Sequence, residues 1–134
     1  VVYGLSLAAM ARAYARLAAA AAADDDVPAR VVHAMRTRPY LVGGAERFDT
    51  VLSEETDGRV LAKVGAEGVH SIAVLDQRVG LALKVEDGAA RAQYPAVLRA
   101  LQLLDALPDP LSPRLADFLS RPVKNTRGAG ARCG

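Results

Sequence analysis

One lysine stands within an apolar stretch of the chain, Leu61-Ala62-Lys63-Val64, and Gly65 follows two residues after it. An ammonium group in such a position can lower the pKa of a neighbouring nucleophile or relay its proton. The glycine lets a substrate approach the backbone closely. The pattern therefore indicates a hydrolase-type site centred on Lys63. The alternative is that Lys63 extends out of a sheet face into water and has no part in chemistry.

The other side chains that could do chemistry form no catalytic pattern. His33 and His70 have no second histidine at metal-ligand spacing, so we interpret both as ordinary residues and expect no metal site. No serine begins an S-x-x-K pair or lies in a G-x-S-x-G elbow. The adjacent carboxylates Glu54-Glu55 and Glu86-Asp87 do not face a common point, which argues against a general acid/base pair. The run Asp24-Asp25-Asp26 is interpreted as a solvated loop for the same reason.

The composition is that of a globular domain with its own core. The chain has 134 residues, of which 51% are hydrophobic and 24% charged. A net charge of +2, scattered basic residues and only 4% aromatics argue against nucleic acid or a membrane surface as a partner. The single cysteine, Cys133, excludes an internal disulfide and favours a reducing, cytoplasmic compartment. Leu5 to Ala23 is not a membrane span, because Arg12 and Arg16 interrupt a mostly alanine segment.

Three strands in the middle of the chain must position Lys63. Asp57-Gly58 predicts a turn, after which three apolar runs follow, separated by turn residues: Arg59 to Val64, Val69 to Leu75 and Val79 to Val85. We predict a three-stranded antiparallel meander that Asp87-Gly88 closes. With helices packed on it, the sheet places the chain in the α+β class.

Helices flank the predicted meander, and each has a start signal or an apolar face. Before the meander we predict a first helix capped by Ser6, a second from Val27-Pro28 to Pro39, and a short one that Asp49 or Thr50 caps and that ends near Glu55. After it we predict an amphipathic helix from Ala90 to Leu104 that packs on the sheet. A last helix starts at Ser112-Pro113, turns Leu115, Phe118 and Leu119 inward and ends at Pro122.

Several separated segments resemble, in the same order, the C-terminal part of a known family. The segments are Met35-Arg36 with Pro39, Val42-Gly43-Gly44, Arg47-Phe48-Asp49-Thr50, Lys63-Val64-Gly65-Ala66-Glu67-Gly68-Val69, Gly80 to Gly88 and Pro122 to Gly128. They are similar to the thermolabile, Rhizobium-type L-asparaginases, also called asparaginase II. Tyr3 to Leu17 looks like the family helix that follows a Cys-Gly-x-Pro segment. The resemblance makes residues 1–134 the C-terminal segment of a single asparaginase-type domain.

The resemblance implies a fold of the serine β-lactamase and glutaminase type and an activity. Such enzymes hydrolyse L-asparagine to L-aspartate and ammonia through an acyl-enzyme formed by a serine–lysine pair. Lys63 matches a strand lysine that holds or relays a proton for the nucleophile. Gly65 and Ala66 are then expected to line the substrate pocket. Glu67 either orients its neighbours or forms a structural ion pair.

Other parts of the family's site have no counterpart in this chain. The nucleophilic serine, its partner lysine, a second serine and the zinc-binding cysteines and lysine belong to the family's N-terminal half. We therefore expect no cofactor within these residues and an inactive chain when it is alone. The end of the chain, Gly130 to Gly134, also lacks the family's valine-rich final strand. Members of the family are usually dimeric, so the resemblance implies a homodimer.

Two alternatives stay open from the sequence. The first is another serine–lysine hydrolase of the same fold, such as a glutaminase or a penicillin-recognising relative. The second is a non-catalytic protein, either a truncated remnant or an α+β interaction module.

Overall fold

A computed structural model describes residues 3–22, 26–119, 123–124 and 130–131 as helices around a small sheet. The elements in chain order are α1 Leu7–Ala20, α2 Val27–Thr37, α3 Pro39–Gly43, α4 Phe48–Glu55, β1 Val60–Val64, β2 Val69–Val74, β3 Val79–Lys84, α5 Ala90–Leu103, α6 Pro113–Ala116, β4 Val123–Lys124 and β5 Gly130–Ala131. The α+β class is confirmed. The specific relation to the serine β-lactamase fold stays a prediction.

The predicted meander is confirmed. Strands β1, β2 and β3 pair antiparallel in chain order, and Lys63 lies opposite Ser71, which lies opposite Ala82. Successive side chains of a strand point to opposite faces, so each strand contributes to both sides of the sheet. Strands β4 and β5 form a separate two-stranded ladder.

The two faces of the sheet belong to different hydrophobic clusters. On one face, Ala62 and Ile72 pack with residues of α4, α5 and α6, among them Leu98. On the other face, Leu61 and Ala73 pack with residues of α1 and α2. The sheet is therefore covered by helices on both sides, as its apolar strands require.

Helix α5 packs on the sheet as its apolar periodicity predicted. Its buried residues include Val97, Leu98 and Leu101, each with an exposed fraction of 0%. After α6, Phe118 is buried, but Leu119 is 40% exposed, so the prediction that Leu119 faces inward is wrong. The segment after α6 continues as a turn instead of a helix, and Leu119 therefore loses helical spacing from Leu115.

Local capping signals begin three of the helices. The Ser6 hydroxyl accepts from the Ala9 N–H at 3.1 Å, and the Ser112 hydroxyl from the Leu115 N–H at 3.3 Å, which confirms both predicted caps. The last residue of the acidic run, Asp26, caps α2 through its carboxylate. Asp24 and Asp25, like Pro122 and Cys133, lie outside the described residues.

The predicted cap of α4 is wrong. The helix begins at Phe48 after Arg47, and no side chain caps it. Thr50 instead donates to the carbonyl oxygens of Gly44 at 2.8 Å and Pro39 at 3.2 Å, which ties α4 to both ends of α3. The Thr50 hydroxyl therefore binds carbonyl groups of another helix and does not cap its own.

Among the described helices, none has the length and hydropathy needed to cross a bilayer.

Candidate functional site

Lys63 is the fourth residue of β1, and its side chain is exposed. Its Nζ donates to the carbonyl oxygen of the next residue, Val64, at 2.9 Å. The residue opposite it in the ladder is Ser71, which is 3% exposed on the sheet face that α1 and α2 cover. Within the described part of the chain, the Lys63 and Ser71 side chains share no hydrogen bond. Ser71 is therefore buried and not arranged as a nucleophile beside the lysine.

Gly65 and Ala66 begin the turn between β1 and β2, and both are exposed. The Gly65 N–H donates to the Val69 carbonyl at 2.8 Å, and the Ala66 carbonyl accepts from the Val69 N–H at 3.2 Å. Glu67 follows in the left-handed region, with φ 55°. Glu67 forms no ion pair among the described residues. The contact of this turn with a substrate stays a prediction.

A buried acid–imidazole pair lies beside Lys63. Asp49, in the first turn of α4, binds His70 of β2 with 2.8 Å between Oδ1 and Nε2. Both side chains are shielded from water, with exposed fractions of 3% for Asp49 and 0% for His70. The second carboxylate oxygen, Oδ2, accepts from the N–H of Val64 at 2.8 Å. One carboxylate thus joins α4, β1 and β2.

The antiparallel ladder explains why Val64 needs this partner. In such a ladder, the N–H groups of successive residues point alternately toward and away from the neighbouring strand. The Gly65 N–H points to β2, since it donates to Val69. The Val64 N–H, one residue earlier, therefore points to the free side of β1, which is an edge strand. Asp49 pairs this donor, which would otherwise lack a partner.

The environment keeps the Asp49 carboxylate ionised. Burial by itself raises the pKa of Asp49, but His70, through its hydrogen bond and its charge, the Val64 N–H and the Lys63 ammonium together lower that pKa below its ordinary value. Because Asp49 is a carboxylate, the proton in the bond to His70 lies on Nε2. The other ring nitrogen, Nδ1, is buried without a hydrogen-bond partner among the described residues.

Aromatic rings surround His70. The ring of Phe48 meets it edge-on with the centroids 5.5 Å apart, and the ring of Tyr94 does so at 6.2 Å. Tyr14 of α1 interacts electrostatically with Asp49. Burial, and then the negative charge of Asp49, raise the pKa of Tyr14. The pair therefore lies in a low-dielectric setting in which its hydrogen bonds are strong.

A cleft opens above this pair at the end of β1. Its volume is about 150 Å³, which is small beside the roughly 300–1,000 Å³ of drug-sized ligand pockets. Two cationic residues, Arg47 and Lys63, line it together with the buried Asp49. The full lining consists of Val42, Gly43, Arg47, Phe48, Asp49, Lys63, Val64 and Tyr94. Of the site residues predicted from sequence, Lys63 lines this cleft, whereas Gly65 and Ala66 are not among its lining residues.

Sequence reasoning missed Asp49 and His70, which it interpreted as a helix cap and an ordinary residue. A signal for His70 existed: strand alternation places it on the same face as the buried Ile72 and Val74, and a buried histidine needs a polar partner. Nothing local identified the partner, which is 21 residues earlier in the chain. His33, by contrast, is exposed on α2.

No metal site is visible in the described residues. Nowhere in them do three side chains of His, Cys, Asp or Glu converge so that they could hold an ion. The zinc that the family resemblance implies therefore finds no ligand set in this part of the chain.

Comparison with protein families identifies a match. The family described as L-asparaginase II matches residues 1–132, so the match spans nearly the whole chain, including the meander and the cleft. Curated proteins include none that matches the chain.

Proposed function

Because the chain belongs to the L-asparaginase II family, we propose that it forms part of an amidohydrolase that converts L-asparagine to L-aspartate and ammonia. The single observation that carries this function is the family match over residues 1–132. The family supports an asparaginase-type activity, and Lys63 borders a cleft in which its ammonium can meet a substrate.

The proposed reaction passes through an acyl-enzyme. A serine Oγ attacks the side-chain amide carbon of asparagine, and the C–N bond breaks as the leaving nitrogen takes a proton and departs as ammonia. Water then attacks the ester carbonyl, which releases L-aspartate and restores the serine hydroxyl. Each step moves one proton between the serine or water and a neighbouring base.

The described serines are unsuited to the nucleophilic role. Ser6 and Ser112 cap helices, and Ser53 and Ser71 are buried with exposed fractions of 4% and 3%. Ser120 lies outside the described residues. None of the five serines of the chain, Ser120 included, begins an S-x-x-K pair, so we assign the nucleophile to polypeptide other than these 134 residues and expect the chain alone to be inactive.

Lys63 is the group that this chain contributes to the reaction. Its exposed side chain borders the cleft, whose lining also includes the cationic Arg47. Such charges stabilise the oxyanion that develops when the amide carbonyl is attacked, and the ammonium can relay the proton of the nucleophile. Gly65 and Ala66 do not line the cleft, and in this proposal the substrate reaches their exposed turn beyond it.

The experiment is the substitution Lys63→Ala in the catalytically active protein that contains this chain. Turnover of L-asparagine should fall by two or more orders of magnitude, while the melting temperature stays nearly unchanged because the side chain is exposed. Lys84→Ala is the matched control, because Lys84 is also an exposed strand lysine whose Nζ donates to the following carbonyl. Near-normal turnover in Lys63→Ala would show that this lysine only extends into water.

The glutaminase alternative is tested in the same assay. Release of aspartate from L-asparagine and of glutamate from L-glutamine is compared at equal enzyme concentration. A higher kcat/KM for L-glutamine would replace the proposed substrate. Hydrolysis by the 134-residue chain alone would overturn the assignment of the nucleophile to other polypeptide.

The family also suggests the surroundings of the site. We propose that the three-stranded sheet with helices on both faces is part of a serine β-lactamase-like fold, and that the enzyme is a homodimer. The mass in solution, measured by light scattering after size exclusion, tests the second point.

A further inference from the structure

We propose that the buried pair of Asp49 and His70 is a positioning unit that holds the end of β1 and thereby orients Lys63 toward the cleft. The inference rests on the proposed function, since it assigns the pair a role through the lysine of that reaction. It adds two positioning residues, Asp49 and His70, that act through Lys63.

Asp49 binds the backbone directly after Lys63. The N–H that Asp49 binds at 2.8 Å belongs to the peptide bond between Lys63 and Val64. This peptide is planar, so an anchored N–H also fixes the orientation of the Lys63 carbonyl group. The backbone of the lysine is therefore anchored directly at the residue that carries the ammonium.

The Lys63 side chain binds the same residue, Val64. Its Nζ donates to the Val64 carbonyl at 2.9 Å, so both polar backbone groups of Val64 are engaged, one by Asp49 and the other by Lys63. The Lys63 ammonium also helps to lower the pKa of Asp49, which places the two charges within electrostatic reach of each other. Asp49 thus acts on Lys63 through the backbone and through charge.

His70 fixes the orientation of the Asp49 carboxylate. It lies directly opposite Val64 in the ladder, and its Nε2–H holds Oδ1 of Asp49 while Oδ2 faces Val64. With both oxygens bound, the carboxylate has one orientation. The flanking rings of Phe48 and Tyr94 restrict the imidazole in turn. The chain of contacts runs from His70 to Asp49 to Val64 and ends at Lys63.

The pair has a geometric role besides its contribution to stability. A buried charged group with its hydrogen-bond partner is often no more stabilising than apolar side chains of similar volume. Here the pair is surrounded by apolar residues that could fill its space, yet a charged group occupies the one position that anchors the lysine. In metal sites, removing a residue that holds a ligand in place typically lowers affinity or activity about 10- to 100-fold. We expect a loss of activity of similar size when the residues that hold Lys63 are removed.

The test compares two substitutions of His70 in the active protein. His70→Phe removes the N–H donor, and we expect kcat to fall about 10- to 100-fold with a smaller change in KM. His70→Gln retains an N–H near the position of Nε2 and should recover most of the lost kcat. His70→Leu takes the place of His70→Phe if circular dichroism shows that the phenylalanine variant is unfolded.

A double-substitution cycle identifies the route of the effect. If the pair acts through the lysine, His70→Phe should cost nothing further in kcat once Lys63 is alanine. Fully additive losses, normal kcat in His70→Phe, or glutamine performing no better than phenylalanine would each overturn the inference. A purely structural role would lower the melting temperature without this dependence on Lys63.

Amide hydrogen exchange provides a readout apart from activity. In the full chain, the Val64 amide should exchange slowly although it faces the free side of an edge strand, and His70→Phe should accelerate it more than the ladder amide of Ala73. Rapid exchange at Val64 in the unsubstituted protein would overturn the inference whatever the variants do.

The two proposals fail in different ways. Normal turnover in Lys63→Ala, or no hydrolysis of either amide by the intact enzyme, contradicts the proposed function. An inactive Lys63→Ala together with a fully active His70→Phe contradicts only the positioning role.

Discussion

Gly80 of β3 lies directly against the backbone of Ala11 in α1. A Cβ atom at Gly80 would stand 2.0 Å from the carbonyl oxygen of Ala11 and 2.3 Å from the amide nitrogen of Ala15. No side chain can be accommodated at that distance, so the glycine sets how closely α1 packs on the sheet. The same helix carries Tyr14, whose hydroxyl is sensitive to the charge of Asp49.

Substitution of Gly80 should therefore displace α1. We expect Gly80→Ala to lower the free energy of unfolding by about 1–3 kcal/mol, because the contacts are with backbone atoms that cannot rotate away. Denaturant-induced unfolding measures the change. Gly4→Ala is the control, since a Cβ there meets nothing within 4 Å and the effect should stay within about 0.5 kcal/mol. Equal stability of the two variants would contradict the close packing.

Removal of the Asp49 carboxylate should destabilise the fold. Asp49→Ala leaves the half-buried Val64 N–H and the buried His70 Nε2–H without their acceptor, and an unsatisfied buried donor costs about 1–3 kcal/mol. The free energy of unfolding from urea titration checks this prediction. Glu86→Ala removes an exposed carboxylate and should change stability by less than about 0.5 kcal/mol.

The same carboxylate should make stability depend on pH. The pKa of Asp49 is lowered in the folded state, so the folded protein binds fewer protons than the unfolded chain as the solution becomes acidic. Its contribution is complete above the ordinary aspartate pKa of about 3.9 and is lost as the pH falls through the lowered pKa. Urea titrations at several pH values should show the stability difference between the unsubstituted protein and Asp49→Asn shrinking below about pH 4. A constant difference across this window would contradict the assignment.

Tyr14 should ionise at an unusually high pH. Burial and then the charge of Asp49 raise its pKa, so in an alkaline titration followed at the tyrosinate absorbance a component should appear above the ordinary value of about 10. Tyr14→Phe should remove this component. Asp49→Asn should move it toward lower pH without abolishing it, because burial persists. If Asp49→Asn left the component in place, Tyr14 and Asp49 would not interact.

Helix α5 offers a matched pair of leucines two residues apart. Leu101 is 0% exposed in the main core, whereas Leu103 is 70% exposed. Leu101→Ala should lower the free energy of unfolding by about 2–5 kcal/mol, because it leaves a cavity. Leu103→Ala should have little effect. Comparable losses in the two variants, measured by thermal and urea unfolding, would contradict the packing of this helix.

Much of the secondary structure could be predicted because its signals are local. The meander follows from alternating apolar residues and turn residues within a few positions of one another. The Ser6 and Ser112 caps depend on an N–H three residues away. The order of short segments from Met35 to Gly128 also predicted the family, and the match over residues 1–132 confirms that resemblance.

The sequence by itself thus determined the α+β class, the meander that carries Lys63 and the family. Only the tertiary structure decided the use of Asp49: its position predicted a helix cap, but docking of α4 beside β1 directs it to His70 and the Val64 N–H. The sequence likewise did not predict the close approach of Gly80 to α1. The physical reason is that local patterns act between neighbours in the chain, whereas these contacts arise when elements distant in sequence pack together and must pair their buried polar groups.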